Sequence, residues 1–187
     1  MSDVTSFLLI RHGETDWNAA GRWQGHGDPA LSERGRAQAS AVARALADHT
    51  IDRLLCSDLQ RALETAEAIG KQLDLSPLPD ARLRELDVGS WTGLTRAEIT
   101  QRDADLLRRF DLGEPDVRPG GGESRRQIRA RVRDAVIEWG RAHKGERIAV
   151  VAHFGVIRAL VPGSEPEHVE VVATHLEEIE VTRASDR

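Results

Sequence analysis

The sequence predicts an α/β fold, a three-layer αβα sandwich whose mainly parallel central sheet carries helices on both faces. Three observations carry this expectation. Short apolar runs alternate with amphipathic stretches of helical length, several times over. Two of the runs, Leu54-Leu55-Cys56 and Ile148-Ala149-Val150-Val151-Ala152, are apolar throughout, as strands covered on both faces must be. No internal repeat or low-complexity linker divides the chain, so its 187 residues read as one domain spanning 1–187.

Taken in order, Phe7-Leu8-Leu9-Ile10 predicts the first buried strand, ended by the polar turn Arg11-His12-Gly13-Glu14-Thr15. Ser32 is placed to cap a helix whose Ala39, Val42, Ala43 and Leu46 follow helical spacing. Leu54-Leu55-Cys56 is the second strand. Ser57 is then expected to cap a helix bearing Leu59, Ala62, Leu63, Ala66 and Ile69, closed by Gly70. Thr95 with Glu98 forms a capping-box signature after the Gly89-Ser90-Trp91-Thr92-Gly93 turn. Ile128, Val132, Ala135, Val136 and Trp139 mark a long helix ending near Gly140. The run Ile148–Ala152 leads into His153-Phe154-Gly155 and a short helix stopped by Pro162. Near the C-terminus, Val169/Val171 and Ile179/Val181 alternate with Glu and read as half-exposed edge strands.

Composition narrows the function. With 40% hydrophobic and 30% charged residues the chain is ordinary globular material. A formal net charge of −5 argues against a general electrostatic grip on nucleic acid or anionic membrane. The single Cys56 permits no internal disulfide, which fits a reducing cytoplasm. No apolar run approaches a membrane span, and Met1-Ser2-Asp3-Val4-Thr5 lacks a signal-peptide pattern. Cytoplasmic localisation is the expectation.

Three strand-to-helix junctions each deliver a cationic or proton-carrying side chain: Arg11 and His12, then Arg61, then His153. Parallel strands bring these junctions to one sheet edge, where ligands of open α/β sheets collect. Arg61 falls near a helix first turn, where free N–H groups favour an anion. Two guanidiniums and two imidazoles converging on one spot describe a phosphate pocket, because Arg matches phosphate geometry bidentately. A neutral imidazole beside positive charge keeps its lone pair and can attack phosphorus. Pro119-Gly120-Gly121-Gly122-Glu123-Ser124 is no P-loop, since it lacks Gly-Lys-Ser/Thr and follows no buried strand; it reads as a helix lead-in at the pocket rim. No His-x-x-x-His or paired-Cys spacing supports a metal site, and no cofactor is implied. Arg125, Arg126, Arg129, Arg131 and Arg133 read as a solvated helix face, with attraction of an anionic substrate as the lesser reading. His26, His49, His143, His168 and His175 read as surface residues. Trp23, Trp91 and Trp139 read as packing, with Trp17 and Trp23 bordering the pocket.

These pieces, in this order, resemble the histidine phosphatase superfamily, whose best-known branch is the cofactor-dependent phosphoglycerate mutases. The resemblance runs from Phe7 to about Leu160. It rests on Arg11-His12-Gly13-Glu14-Thr15 with Trp17-Asn18, Gln24-Gly25 and Asp28, and Leu31-Ser32-Glu33-Arg34-Gly35. It continues through Ser57-Asp58-Leu59-Gln60-Arg61-Ala62 with Thr65-Ala66, Arg84-Glu85 with Gly89, Trp91-Thr92-Gly93, Gly122-Glu123-Ser124 and Ala152-His153-Phe154-Gly155. The resemblance implies a phosphoglycerate mutase-like fold and a phosphatase acting on a small phosphate ester without metal. It implies that His12 becomes a phosphohistidine. Arg11, Arg61 and His153 would bind the phosphoryl oxygens, with Asn18 assisting and Gln24 and Gly25 among the substrate-binding residues. Glu85 would be the acid that protonates the leaving alcohol and then deprotonates the attacking water. Glu14, Asp87 and Glu123 are its rivals for that role.

Two other functions fit the same motifs. A mutase would return the phosphoryl to a second hydroxyl, but the short span from Gly93 to Pro119 leaves little chain for a shielding lid. A non-catalytic phosphate-binding module would have lost a core residue, and none of the motif residues is missing. One departure stands out: Phe154 follows the second His, where the family usually has a small residue. The oligomeric state is open, with the edge strands near Val171 and Val181 available for pairing into a homodimer.

Overall fold

A computed structural model describes residues 4–185, with side chains through Val181. Its central sheet has five strands: β1 (Ser6–Arg11), β2 (Arg53–Cys56), β3 (Leu78–Pro79), β4 (Arg147–Ala152) and β5 (Val171–His175). They lie in the order β3-β2-β4-β1-β5. All neighbouring pairs are parallel except β1 with β5, which run antiparallel. The sequence-predicted architecture is thus the one observed. Alternation along each strand divides the core into two layers. Phe7, Leu9, Leu55, Ile148, Val150 and Ala152 face the side packed by α5 (Arg125–Ala142) and α6 (Phe154–Leu160). Ile10, Leu54, Cys56, Ala149 and Val151 face α2 (Glu33–Ala45) and α3 (Gln60–Leu73).

The register matters most for function. Arg11 pairs with Ala152, and Cys56 pairs with Val151. The His12 N–H donates to the Ala152 carbonyl (3.0 Å), and the Ser57 N–H to that of Val151 (3.0 Å). Three strands therefore end at one level, and the chain leaves each of them at the same edge.

Smaller elements complete the wall above that edge: α1 (Asp16–Ala19), α4 (Arg96–Asp111) and short 3-10 turns at Ala81–Leu83, Gly89–Trp91 and Pro119–Gly121. Around α4, Val88, Trp91, Ile99 and Leu107 form a satellite core, with Trp23, Leu86, Leu94 and Leu106 against it. α4 bends at Asp103, whose backbone leaves helical geometry while its carboxylate accepts from the Trp91 indole (2.7 Å). The capping box of Thr95 and Glu98 is formed, and Ser32 caps α2 through the Gly35 N–H.

Several expectations need correction. Ile179 and Val181 lie on a helix, α7 (Leu176–Ser185), not on an edge strand. Ile179 is fully buried with Leu176 packed beside it, a three-residue spacing that fits a helix stripe better than strand alternation. Val169 precedes β5 rather than belonging to it, and takes a positive φ of 57°. Ser57 does not cap α3. Leu59 occupies the capping position without a side-chain bond, while the Ser57 hydroxyl accepts from the Leu59 N–H (3.3 Å). Gly70 lies within α3, because the close approach of the Leu75 carbonyl demands a residue without Cβ there. Asp74, in the left-handed region, ends the helix instead. The expected end of α5 near Gly140, by contrast, holds, the helix closing at Ala142.

Candidate active site

The polar turn after β1 is shaped by backbone proximity. A Cβ on Gly13 would sit 2.5 Å from the Gly35 carbonyl, so only glycine lets the turn close against α2. The Gly13 N–H is held by the Thr65 hydroxyl of α3 (3.1 Å), and that hydroxyl bonds back to the Arg61 carbonyl (2.8 Å). The turn carrying His12 and the helix carrying Arg61 are thereby locked together.

His12 is buried, at 3% exposure, and its Nδ1 lies 2.7 Å from the Gly13 carbonyl. A carbonyl only accepts, so Nδ1 carries the ring proton and Nε2 keeps its lone pair. Burial holds the His12 pKa well below its ordinary value, and the Arg61 and Arg11 charges push the same way. The ring of His153 lies 5.1 Å from that of His12, centroid to centroid. His153 is fully buried, and neither of its ring nitrogens has a hydrogen-bond partner among the described residues. Burial and the Arg61 charge also keep it neutral.

Arg61 has no exposed surface. Its guanidinium donates to the carbonyls of Gly27 (2.8 Å) and Gly25 (2.9 Å). Burial lowers its pKa to about 10, partly offset by Glu85 and Asp28, so it stays cationic at neutral pH. Arg11 donates to the Pro166 carbonyl (3.0 Å) and has its guanidinium carbon 5.4 Å from the Phe154 ring centre. Its pKa is likewise lowered by burial, with Glu85 and Glu167 opposing.

These groups border a cavity of about 620 Å³. Arg11, His12, Asn18, Gln24, Gly25, Arg61 and Glu85 all line it, and the buried His153 lies next to His12, ring centroids 5.1 Å apart. Asn18 gives its amide oxygen to Thr15, leaving its NH₂ as the group it can offer. Gln24 is fixed by the Thr15 hydroxyl (3.0 Å). Glu85 accepts from the N–H groups of Leu86 (2.8 Å) and Gly155 (3.1 Å), so its carboxylate is anchored across the cavity from the β1 turn. Its rivals are engaged elsewhere. Glu14 pairs with Arg34 (3.3 Å), Asp87 accepts from Gly89 (2.8 Å) and Glu123 is bound by Arg131 (2.6 Å); none lines the cavity.

Sequence reasoning missed several neighbours. His168 is not a surface residue: its ring meets that of His12 edge-on at 5.9 Å, and burial lowers its pKa to about 4. The basic run on α5 is not a plain solvated face either. Arg131 bonds Glu123 and the carbonyls of Arg82 (2.7 Å) and Arg84 (3.0 Å), Arg133 is buried, and Arg125 and Arg129 line the cavity. Trp23 lines the cavity, whereas Trp17 packs against Gly93 outside it. Trp91 and Trp139 do pack, Trp139 stacking on His143. Among the described residues no cluster of three or more His, Cys, Asp or Glu is placed to hold a metal ion, and no helix is long and apolar enough to cross a membrane.

A parallel-sheet edge with buried, proton-poor imidazoles flanked by guanidiniums defines a class of phosphoryl-handling proteins. The chain belongs to the histidine phosphatase superfamily (branch 1), whose sequence profile matches residues 7–183. It is 41% identical over 167 residues to phosphoglycerate mutase-like protein 4 of Arabidopsis thaliana, covering 88% of this chain and 73% of that protein. It is 42% identical over 164 residues to the metal-independent phosphoserine phosphatase of the same plant, covering 85% and 68%. Among solved structures, a mycobacterial glucosyl-3-phosphoglycerate phosphatase in complex with VO3 superposes with a TM-score of 0.83 at 34% identity, over 90% of each chain.

Proposed function

We propose that the protein is a phosphomonoesterase that hydrolyses small phosphorylated metabolites through a phosphohistidine on His12. The observation that carries this reading is the His12 tautomer: Nδ1 is tied to the Gly13 carbonyl, which leaves an unprotonated Nε2 beside two guanidiniums. In the first half-reaction Nε2 forms a bond to phosphorus as the ester P–O bond breaks, and Glu85 gives its proton to the departing alkoxide. In the second, Glu85 takes a proton from water as the water oxygen attacks phosphorus and the N–P bond breaks. Arg11, Arg61 and His153 donate to the phosphoryl oxygens throughout, stabilising the transferring group by fixed charge. Asn18 adds a donor, and Gln24 and Gly25 shape the entry. No step calls for a metal.

The relatives' names support hydrolysis: one is a phosphoserine phosphatase, another a glucosyl-3-phosphoglycerate phosphatase. The soluble cytoplasm is the compartment that fits a small-metabolite substrate. The test is rapid quench during turnover of an aryl phosphate, followed by peptide mapping. An acid-labile, base-stable phosphoryl group on His12 is the expected result. His12→Ala should lose activity by at least roughly 10³-fold, and EDTA should leave the rate unchanged. Undiminished turnover by His12→Ala would end the covalent mechanism.

A further inference from the structure

The two half-reactions leave His168 without a task, yet the fold holds its imidazole against the nucleophile. The ring meets that of His12 edge-on, with 5.9 Å between centroids. The connection that carries it, residues 161–170, is tied to Arg11 by three hydrogen bonds. Arg11 donates through its guanidinium to the Pro166 carbonyl (3.0 Å) and through its N–H to that of Glu170 (3.4 Å). The Val169 N–H in turn donates to the Arg11 carbonyl (2.9 Å). The placement is locally unfavourable twice over. Val169 takes a positive φ of 57°, which a β-branched side chain avoids. The His168 Nε2 is buried with no hydrogen-bond partner among the described residues. An apolar ring would make the same contact without the second penalty, so packing alone does not explain an imidazole. What an imidazole adds is the capacity to carry a proton.

The protein's own charges hold that proton off. Burial opposes it most, and Arg11 from β1 and Arg34 from α2 oppose it further. Glu14 favours it, but its carboxylate is paired with Arg34 (3.3 Å). On the connection itself, Glu167 acts on Arg11, and the Glu170 carboxylate accepts from the Glu167 N–H (2.7 Å). The ring therefore stays neutral down to about pH 4. A phosphoryl group at His12 brings two negative charges to the ring that His168 touches. At such range two charges outweigh a single neighbouring cation, and the balance changes sign.

We propose that His168 takes up a proton from solvent when a dianionic phosphoryl group reaches His12, and so serves as an additional, occupancy-dependent cation of the site. The residue is partly exposed, which gives the proton a route. The proton arrives with the substrate's dianion and returns to solvent as inorganic phosphate leaves, so none is gained or lost over a turnover. The inference rests on the phosphatase reading above.

The probe is sulfate, a tetrahedral anion that stays doubly charged throughout the titration, so any pH dependence belongs to the protein. Imidazole 15N–1H spectra of the wild-type protein are followed against pH with and without saturating sulfate. The His168 midpoint should rise from near pH 4 by roughly two pH units. By reciprocity, the gain in sulfate affinity between pH 7 and pH 5 should be roughly 10-fold larger in the wild-type protein than in His168→Phe. That variant keeps a ring against His12 and removes only the proton site. A His168 midpoint that sulfate leaves in place while His12 and His153 respond would overturn the proposal. Equal gains in the two proteins would overturn it as well. Sulfate that perturbs none of the three imidazoles would instead refute the phosphoryl site, and the phosphatase reading with it.

Discussion

At the scale of single residues, the site separates two tasks between two anchored groups. His12 is held neutral by burial and nearby cations, whereas Glu85 is fixed by the N–H groups of Leu86 and Gly155. An alkoxide leaves poorly and needs a proton, while a nitrophenolate leaves unaided. Glu85→Gln should therefore cost roughly 10²–10⁴-fold in kcat on an alkyl phosphate and much less on 4-nitrophenyl phosphate. Equal losses on both esters would remove Glu85 from the acid role. The residues converging here were legible in the sequence because Arg11 ends a strand, His12 and His153 directly follow strands, and Arg61 lies in the first turn of the helix after one. His168 was not. It sits in the connection before β5, where no local periodicity or spacing announces that the chain folds back onto His12. Phe110 and Arg158 were missed for the same reason, since their nearness to the cavity is a property of packing between distant elements.

At the scale of elements, α5 does more than cover the sheet. Its half-buried Arg131 binds Glu123 through two nitrogens and donates to the carbonyls of Arg82, Arg84 and Glu85. One side chain thus holds the segment that presents Glu85, acting as a positioning residue. Arg131→Met strands those carbonyls and Glu123, and should lower stability by about 1–3 kcal/mol in urea unfolding. It should also widen the gap between alkyl and aryl phosphate rates in the direction of Glu85→Gln. An unchanged ratio of those rates would make Arg131 purely structural. The basic run misled sequence reading because charge density says nothing about which arginines turn inward. The C-terminal stretch misled it differently: Glu between apolar residues satisfies strand alternation and a loose helix stripe equally over so few residues. Only packing of Ile179 and Leu176 on the α5 side of the sheet decides for the helix. Long apolar runs and the Thr95–Glu98 capping box, by contrast, were read correctly because their signals are local and redundant.

At the scale of the whole molecule, three imidazoles near the centre of the sheet edge give the fold a pH signature. Burial depresses the pKa values of His12, His153 and His168 below those of an unfolded chain. As pH falls below about 6.5, the unfolded state takes up protons that the folded state refuses, so stability drops. The slope approaches about 1.4 kcal/mol per pH unit for each proton taken up. Their contribution is fully present above pH 6.5 and is lost downward, with the His168 share spent near pH 4. Urea midpoints measured from pH 7 to pH 4 should fall accordingly, and His168→Gln should flatten the decline. Midpoints that hold steady across that interval would contradict the neutral-imidazole picture.

The one sulfur nucleophile of the chain, Cys56, is sealed at the end of β2, where burial pushes its thiol up to about 12. A group so reluctant to ionise offers oxidants and alkylating agents no thiolate to strike. Thiol-directed oxidants and alkylating agents should therefore leave turnover on this scaffold unchanged.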